Sequence, residues 1–341
     1  MLAQSVILII VGATCFVTGL VMIVFYVVNS HITYTTNPIT AEEWVHLKMN
    51  KTPSNDPSST FSSWKLGVKA LPSNLKIYPA HTLMPKQGLP NTFYYKICEL
   101  VPMADQGNCQ SCTLFASYSM LASRLAIRTG STPEMLSVQQ ALDCLNLNCD
   151  LPLTIDIGLN FASSVGIVQA KSYPYVQKGA GSCLIQNTEK YKTRVFATTI
   201  QAVSKPFTVG DSVHKKVIQA AMTEMYRFGP IVTIIELRSD LLYNYTAMAQ
   251  NPTTKAYVCS IYTPSSHSVS MGYHAILVIG WQKPNPKNYD GACWICISSW
   301  GTSWPPSPWA SHPGAFFVKM GSNVCGIESQ FITAHPVLAN T

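Results

Sequence analysis

The sequence predicts an α+β fold: a mainly helical region, residues 89 to about 210, then a mainly strand-forming region, 211–341, behind an N-terminal transmembrane helix. Three observations predict it. Apolar residues recur at helical spacing after Ser111, short apolar and β-branched runs sit between Gly and Pro breaks after residue 211, and residues 6–28 carry no charge. Charged residues are only 11% of the chain, against 47% hydrophobic, which argues against a disordered protein.

From the N-terminus, VILIIVGATCFVTGLVMIVFYVV spans residues 6–28. As a helix it is about 35 Å long, enough to cross a bilayer. It lacks the basic start and the shorter apolar core of a cleaved signal, so a retained anchor (1–28) is expected. Residues 29–88, with NKTPSNDPSST, are polar and Pro-broken and read as an extended segment lying on something else. The first charged residues are Glu42 and Glu43, so charge gives no orientation. Ten of eleven cysteines follow the anchor; disulfides among them would place 29–341 on a lumenal or extracellular face, in an endolysosomal, secretory or virion membrane. Asn50 and Asn244 open N-glycosylation triplets. The net charge of +7 is scattered rather than clustered, which fits a solvated surface and no nucleic-acid partner.

The first helix carries Leu114, Phe115, Tyr118, Leu121, Ala122 and Leu125 on one face, a core stripe. A second starts at LSVQQALDC, where Ser137 and Gln140 have the spacing of a capping box. YHAILVIGW, CWICISSW and GAFFVKM are the strongest strand candidates.

DQGNCQSCTLFASYSM (105–120) raises the chemical question. With Cys293 and Cys296, Cys109 and Cys112 would complete a four-thiolate zinc set, but Cys296 lies in a strand-like run and Cys112 opens a helix, unlike zinc knuckles. A redox pair would need a preceding strand, and Pro102 and Gly107 interrupt that stretch. In a third reading Cys112 is a nucleophile whose thiolate is favoured by the helix N-terminus. His274, at the start of a strand, is then the candidate base. The Gln106 amide and the Cys112 N–H are candidate donors to an oxyanion.

LPNTFYYKICELVPMADQGNCQSCTLFASYSMLASR, LSVQQALDC, SYPY, GYHAILVIGW and ISSWGTSW, in this order, resemble the papain-like cysteine proteases over about Leu89 to Glu328. The resemblance implies a papain-like two-subdomain fold for residues 89–341, with a helical left and a β-barrel-like right subdomain. It implies Cys112 as nucleophile, His274 as general base and acid, Gln106 in the oxyanion hole, and Ser298 where the family has the Asn that orients the imidazole. It also implies bridges Cys109–Cys149 and Cys144–Cys183, with Cys259 and Cys325 as a candidate third pair. Trp300 resembles the tryptophan that shields the histidine from water. No cofactor or metal is implied; the partner is a polypeptide substrate.

The chain departs from the family at Gln110 (Gly in the family), Thr113 (an aromatic), Ser298, and NCDLPLT in place of Gly-Gly. Gln110 is expected to add bulk beside the cleft, and Ser298, with its shorter reach, to lower the rate without abolishing it. Two functions follow: a thiol endopeptidase, or a membrane-anchored pseudoenzyme that keeps the fold for binding. SSWKLGV resembles the Trp-centred part of a short cathepsin B-like propeptide, so residues 29–88 read as an inhibitory prosegment or, failing that, a stalk. The remaining histidines, among them His214, His267, His312 and His335, read as surface or packed residues.

Overall fold

The computed structural model describes residues 88–340, apart from 103, 180, 186–188, 204–206, 251–252, 254–256 and 306–313, together with Lys76–Ile77. The predicted anchor (6–28), Asn50, His312 and most of 29–88 lie outside the described residues. Among the described residues no helix is long and apolar enough to cross a membrane.

The helical region is built as its sequence implies. Helix α1 (Cys112–Thr129) carries the buried stripe and ends at Gly130, whose φ of +64° suits a left-handed cap. Helices α2 (Val138–Cys144) and α3 (Ile155–Ser164) follow. The hydroxyl of Ser137 caps α2 by accepting from Gln140 N at 3.0 Å. The reciprocal half of the expected capping box does not form. The Gln140 side chain instead bonds Gly166 O and Val168 N, satisfying buried backbone on the next segment.

The region expected to be β begins earlier than residue 211 and is interrupted. Strand β3 (Thr193–Val203) falls in the half read as helical. Helix α4 (Ser212–Phe228) falls in the half read as strand, opened by Asp211, which accepts from His214 N, and stopped at Gly229. The other strands are β1 (Lys76–Ile77), β2 (Thr92–Tyr94), β4 (Ile231–Arg238), β5 (Met248–Gln250), β6 (Tyr257–Cys259), β7 (Ile261–Tyr262), β8 (Ser270–Gln282), β9 (Cys293–Ile297), β10 (Ala315–Lys319) and β11 (Phe331–Asn340), with a short helix α5 (Ser239–Asn244) after β4. One nine-stranded sheet runs β1-β3-β11-β4-β8-β9-β10-β7, with β2 on β8; β5 and β6 form a separate pair. Among the described residues this sheet has β1 and β7 at its ends. Strand β1 pairs in parallel with Gln201 and Ala202, so this part of the 29–88 segment does lie on the domain.

Helix α1 packs on β8 and β11. A buried charge ties these layers together. Arg124 donates to Glu224 (2.8 Å), Thr333 (2.7 Å) and the Pro230 carbonyl (2.8 Å). A guanidinium buried this deeply is tolerable only with such a complete set of acceptors. A second strut joins α4 to the end of the sheet: His214 Nε2 meets Glu328 at 2.7 Å, and Glu328 also accepts from Trp294 Nε1. The packed reading of His214 holds; His267 is exposed.

His335 is packed as well, edge-on to Phe228. Burial, helped by the nearby Arg124 and Arg128 charges and opposed by Glu224, pushes its imidazole down to about 4. A base held below its unfolded value binds protons more readily when unfolded, so its stability contribution is complete above the unfolded pKa, ~6.5, and is lost as pH falls towards about 4. Replacing His335 with leucine should therefore recover about 2 kcal/mol at about pH 4.5 relative to pH 7. Urea unfolding at the two pH values checks it; an unchanged pH difference refutes it.

Candidate active site

The loop before α1 is held on the segment after β9 by backbone bonds. Gln106 N donates to Ser299 O (2.8 Å), Gly301 N donates to Ala104 O (3.1 Å), and Asp105 bridges Trp300. Cys112 then begins α1, where the first N–H groups have no partner within the helix. Cys112 is fully buried and outside any disulfide.

The Gln106 side chain is fixed at both ends. Its Nε2 donates to Cys109 O (2.9 Å), and its Oε1 accepts from Ser299 Oγ (2.6 Å). The Cys109 carbonyl can only accept, so that bond sets which end of the amide is which. Ser299, one residue after the suspected orienter, was not singled out from sequence; only its pairing across the fold reveals it.

His274 enters from β8, paired with Ile235 of β4. Its Nε2 lies 2.8 Å from Ser298 Oγ, so the shorter serine does reach the imidazole. The Trp300 indole stacks on the ring at 4.2 Å and 18°, with Trp304 edge-on behind it at 4.6 Å. This covers the His274–Ser298 contact. Among the described residues the other ring nitrogen, Nδ1, makes no hydrogen bond. Burial pushes the imidazole down to about 3, because the site gives an imidazolium no solvent. The strand's entry is anchored by Asp240, which accepts from Tyr262 (2.6 Å), Ser265 N (2.8 Å) and Ser268 Oγ. Against a desolvation cost that raises it, bonds from Ser265, Ser268, Tyr262 and Leu241 hold that carboxyl down at about 2.

Disulfides Cys109–Cys149 and Cys144–Cys183 form. Pairing of Cys109 with Cys149 removes it from any zinc set and from redox partnership with Cys112. The third bridge, Cys259–Cys325, does not form; both are thiols. The Cys259 thiol lies among Tyr245 and Cys293, whereas Cys325 sits on a turn against Tyr262, Glu236 and Asp240. Burial raises these thiols, Cys293 to about 12 and Cys325 to about 11, and so keeps them protonated.

Gln110, expected to add bulk beside the cleft, is held on the segment after Cys149. Its amide turns to Asp150 O (3.0 Å), and its backbone N–H bonds Cys149 O. Thr113 faces the protein interior, fully buried. Asn244 is exposed at the end of α5.

Residues 89–335 match the family model described as papain family cysteine protease. The chain is 26% identical over 245 residues to a gut-specific cysteine proteinase of Caenorhabditis elegans, covering 67% of this chain and 66% of that one. It is 29% identical over 275 residues to human cathepsin O, covering 76% and 71%. The match spans just under two thirds of the gut-specific proteinase and of a C. elegans cathepsin B-like cysteine proteinase 3, at 66% and 65% of their lengths. Among solved structures, procathepsin B S9 of Trypanosoma congolense superposes with a TM-score of 0.59 at 19% identity, covering 80% of this chain and 87% of that one.

Proposed function

Because the chain belongs to the papain family of cysteine proteases, we propose that it is a thiol endopeptidase in which Cys112 attacks the scissile carbonyl. The observation that carries this reading is the joint arrangement of Gln106, fixed by Ser299 and Cys109, and His274, held by Ser298 under Trp300.

In the proposed cycle the Cys112 proton passes to His274 Nδ1 and the sulfur bonds the carbonyl carbon. The carbonyl electron pair moves to oxygen, stabilised by the Gln106 side-chain amide and the Cys112 N–H. As the tetrahedral adduct collapses, the C–N bond breaks and His274 gives its proton to the leaving amine, leaving an acyl-enzyme thioester. Water gives a proton to His274 as its oxygen bonds the thioester carbon; the C–S bond breaks, the sulfur takes that proton back as the thiol, and the product acid loses its own proton to solvent. Ser298 holds the ring angle through both steps. The fully buried imidazole is neutral by itself and takes a proton only with the sulfur's charge to balance it.

Residues 29–88 are proposed as an inhibitory prosegment, supported by the β1–β3 pairing and by the likeness to solved proforms. Residues 6–28 are proposed as a membrane anchor, with the disulfide-bonded domain on the lumenal or extracellular side. The pseudoenzyme alternative shares the fold and differs in reactivity. Full-length protein and its matured form are treated with a peptide bearing a cysteine-directed electrophile, and the adduct is mapped by mass spectrometry. The peptidase reading expects it on Cys112; a folded protein that stays unlabelled there supports the pseudoenzyme.

A further inference from the structure

Tyr175 closes the SYPY turn, which reads from sequence as a simple Pro turn. Its hydroxyl bonds Gln106 and the residue before Cys112, the two stretches that carry the proposed oxyanion donors. It donates to the Gln106 carbonyl at 2.8 Å and lies 3.0 Å from Ser111 Oγ, on the residue before Cys112. A phenol has one proton, and here Gln106 takes it, so Ser111 is the donor in the second contact. Burial raises the phenol to about 12, so it remains a donor at any working pH. The ring also stands edge-on to Phe115, one turn into α1, at 4.9 Å.

The segment behind Tyr175 is itself held. Gln139 of α2 accepts from Val176 N (3.0 Å) and donates to Lys178 O (2.6 Å). The Gln177 side chain lies flat on Gly107, where an added Cβ would come within 2.3 Å of Gln177 Oε1. Gly107 has a φ of +54°, so it is a glycine for both reasons. Helix α2 thus braces residues 175–178, and these brace the turn that carries Gln106.

We propose that Tyr175 is a positioning residue of the oxyanion hole. It spans Gln106 and the Ser111–Cys112 helix start, so the side-chain donor and the backbone donor keep their separation as charge develops between them. This rests on the reading of Gln106 and the Cys112 N–H as the oxyanion donors. A residue that only packs would act through its ring, which phenylalanine keeps.

The test is Tyr175→Phe in the full-length protein and its matured form, with three readouts. The first is kcat and KM on a peptide substrate. The second is affinity for a peptide aldehyde, whose adduct carries the tetrahedral oxygen. The third is the rate of Cys112 alkylation by iodoacetamide, which forms no oxyanion. Expected are a kcat lower by ~5–20-fold with KM unchanged, aldehyde binding weakened by a similar factor, and unchanged alkylation. In a Gln106→Ala background the same substitution should cost less than ~2-fold more. Unchanged kcat and aldehyde affinity would overturn the proposal, as would an equal loss in alkylation rate. Should Tyr175→Phe not fold, Ser111→Ala removes one arm and should show the same split at ~2–5-fold; without the split the proposal falls. A wild type that neither turns over nor alkylates brings down the peptidase reading too, whereas an active wild type with an unaffected variant brings down this one alone.

Discussion

Gln106→Ala is expected to lower kcat by about 10²–10³-fold with little change in KM. The reason lies in how the residue is held. Its backbone bonds, N–H to Ser299 O and carbonyl from Tyr175, survive truncation, so the loop before α1 keeps its path. What disappears is the amide, fixed by Ser299 Oγ and Cys109 O. In the proposed cycle the amide meets charge only in the tetrahedral state, so the loss falls on kcat. Truncation also leaves Ser299 Oγ short of its acceptor inside the protein, while Cys109 O keeps the Ser111 N–H at 2.7 Å; the orphaned hydroxyl costs about 1–3 kcal/mol of stability. Steady-state kinetics below the variant's melting transition separate the two effects. A fall of kcat under ~5-fold would remove Gln106 from the oxyanion hole.

The parts of this site legible in the sequence are those whose signal is local. Cys112 at a helix start, His274 at the head of an apolar strand and Gln106 six residues before Cys112 each sit in a short motif, and the order of the motifs carries the family. The bridges Cys109–Cys149 and Cys144–Cys183 came with the resemblance rather than from spacing, which explains why Cys259–Cys325, with no motif behind it, failed. What stayed hidden depends on contacts between distant residues. Ser299 acts on Gln106 across 193 positions and Tyr175 acts on it across 69. Arg124 and Glu224 are 100 apart, and neither neighbourhood announces a buried pair. The helix after Asp211 does carry local signals, a cap and a terminal Gly229, but they stand beside the strong strand signals that follow residue 230. Gln140 had the capping-box spacing, yet the buried backbone at Gly166 and Val168 offered its amide a better use than the Ser137 N–H.

Ser298→Ala is expected to lower kcat/KM by about 10–100-fold and to move the basic limb of its pH profile towards acid by about one unit. The imidazolium of the catalytic pair must donate through both nitrogens, and Ser298 Oγ, at 2.8 Å, is positioned to accept from Nε2–H. Among the described residues the site otherwise offers a fully buried cation the stacked face of Trp300 and the opposite charge of the sulfur. Losing the acceptor therefore lowers the pH at which the imidazolium gives up its proton, and the active range contracts from its basic side. A hydroxyl is also an ambivalent partner: it can donate to Nε2 and favour the tautomer protonated on Nδ1, which cannot take the proton of Cys112. A carboxamide oxygen can only accept. Ser298→Asn should accordingly raise kcat/KM by ~3–10-fold and move the basic limb the other way. Ser298 borders a small cavity between α1 and the sheet, together with Ala104, Phe115, Ser119, Ala275 and Ser299. The pH dependence of kcat/KM for the three proteins decides the matter. A basic limb common to all three would mean that Ser298 does not hold the imidazolium, and that Trp300 and the thiolate hold it alone.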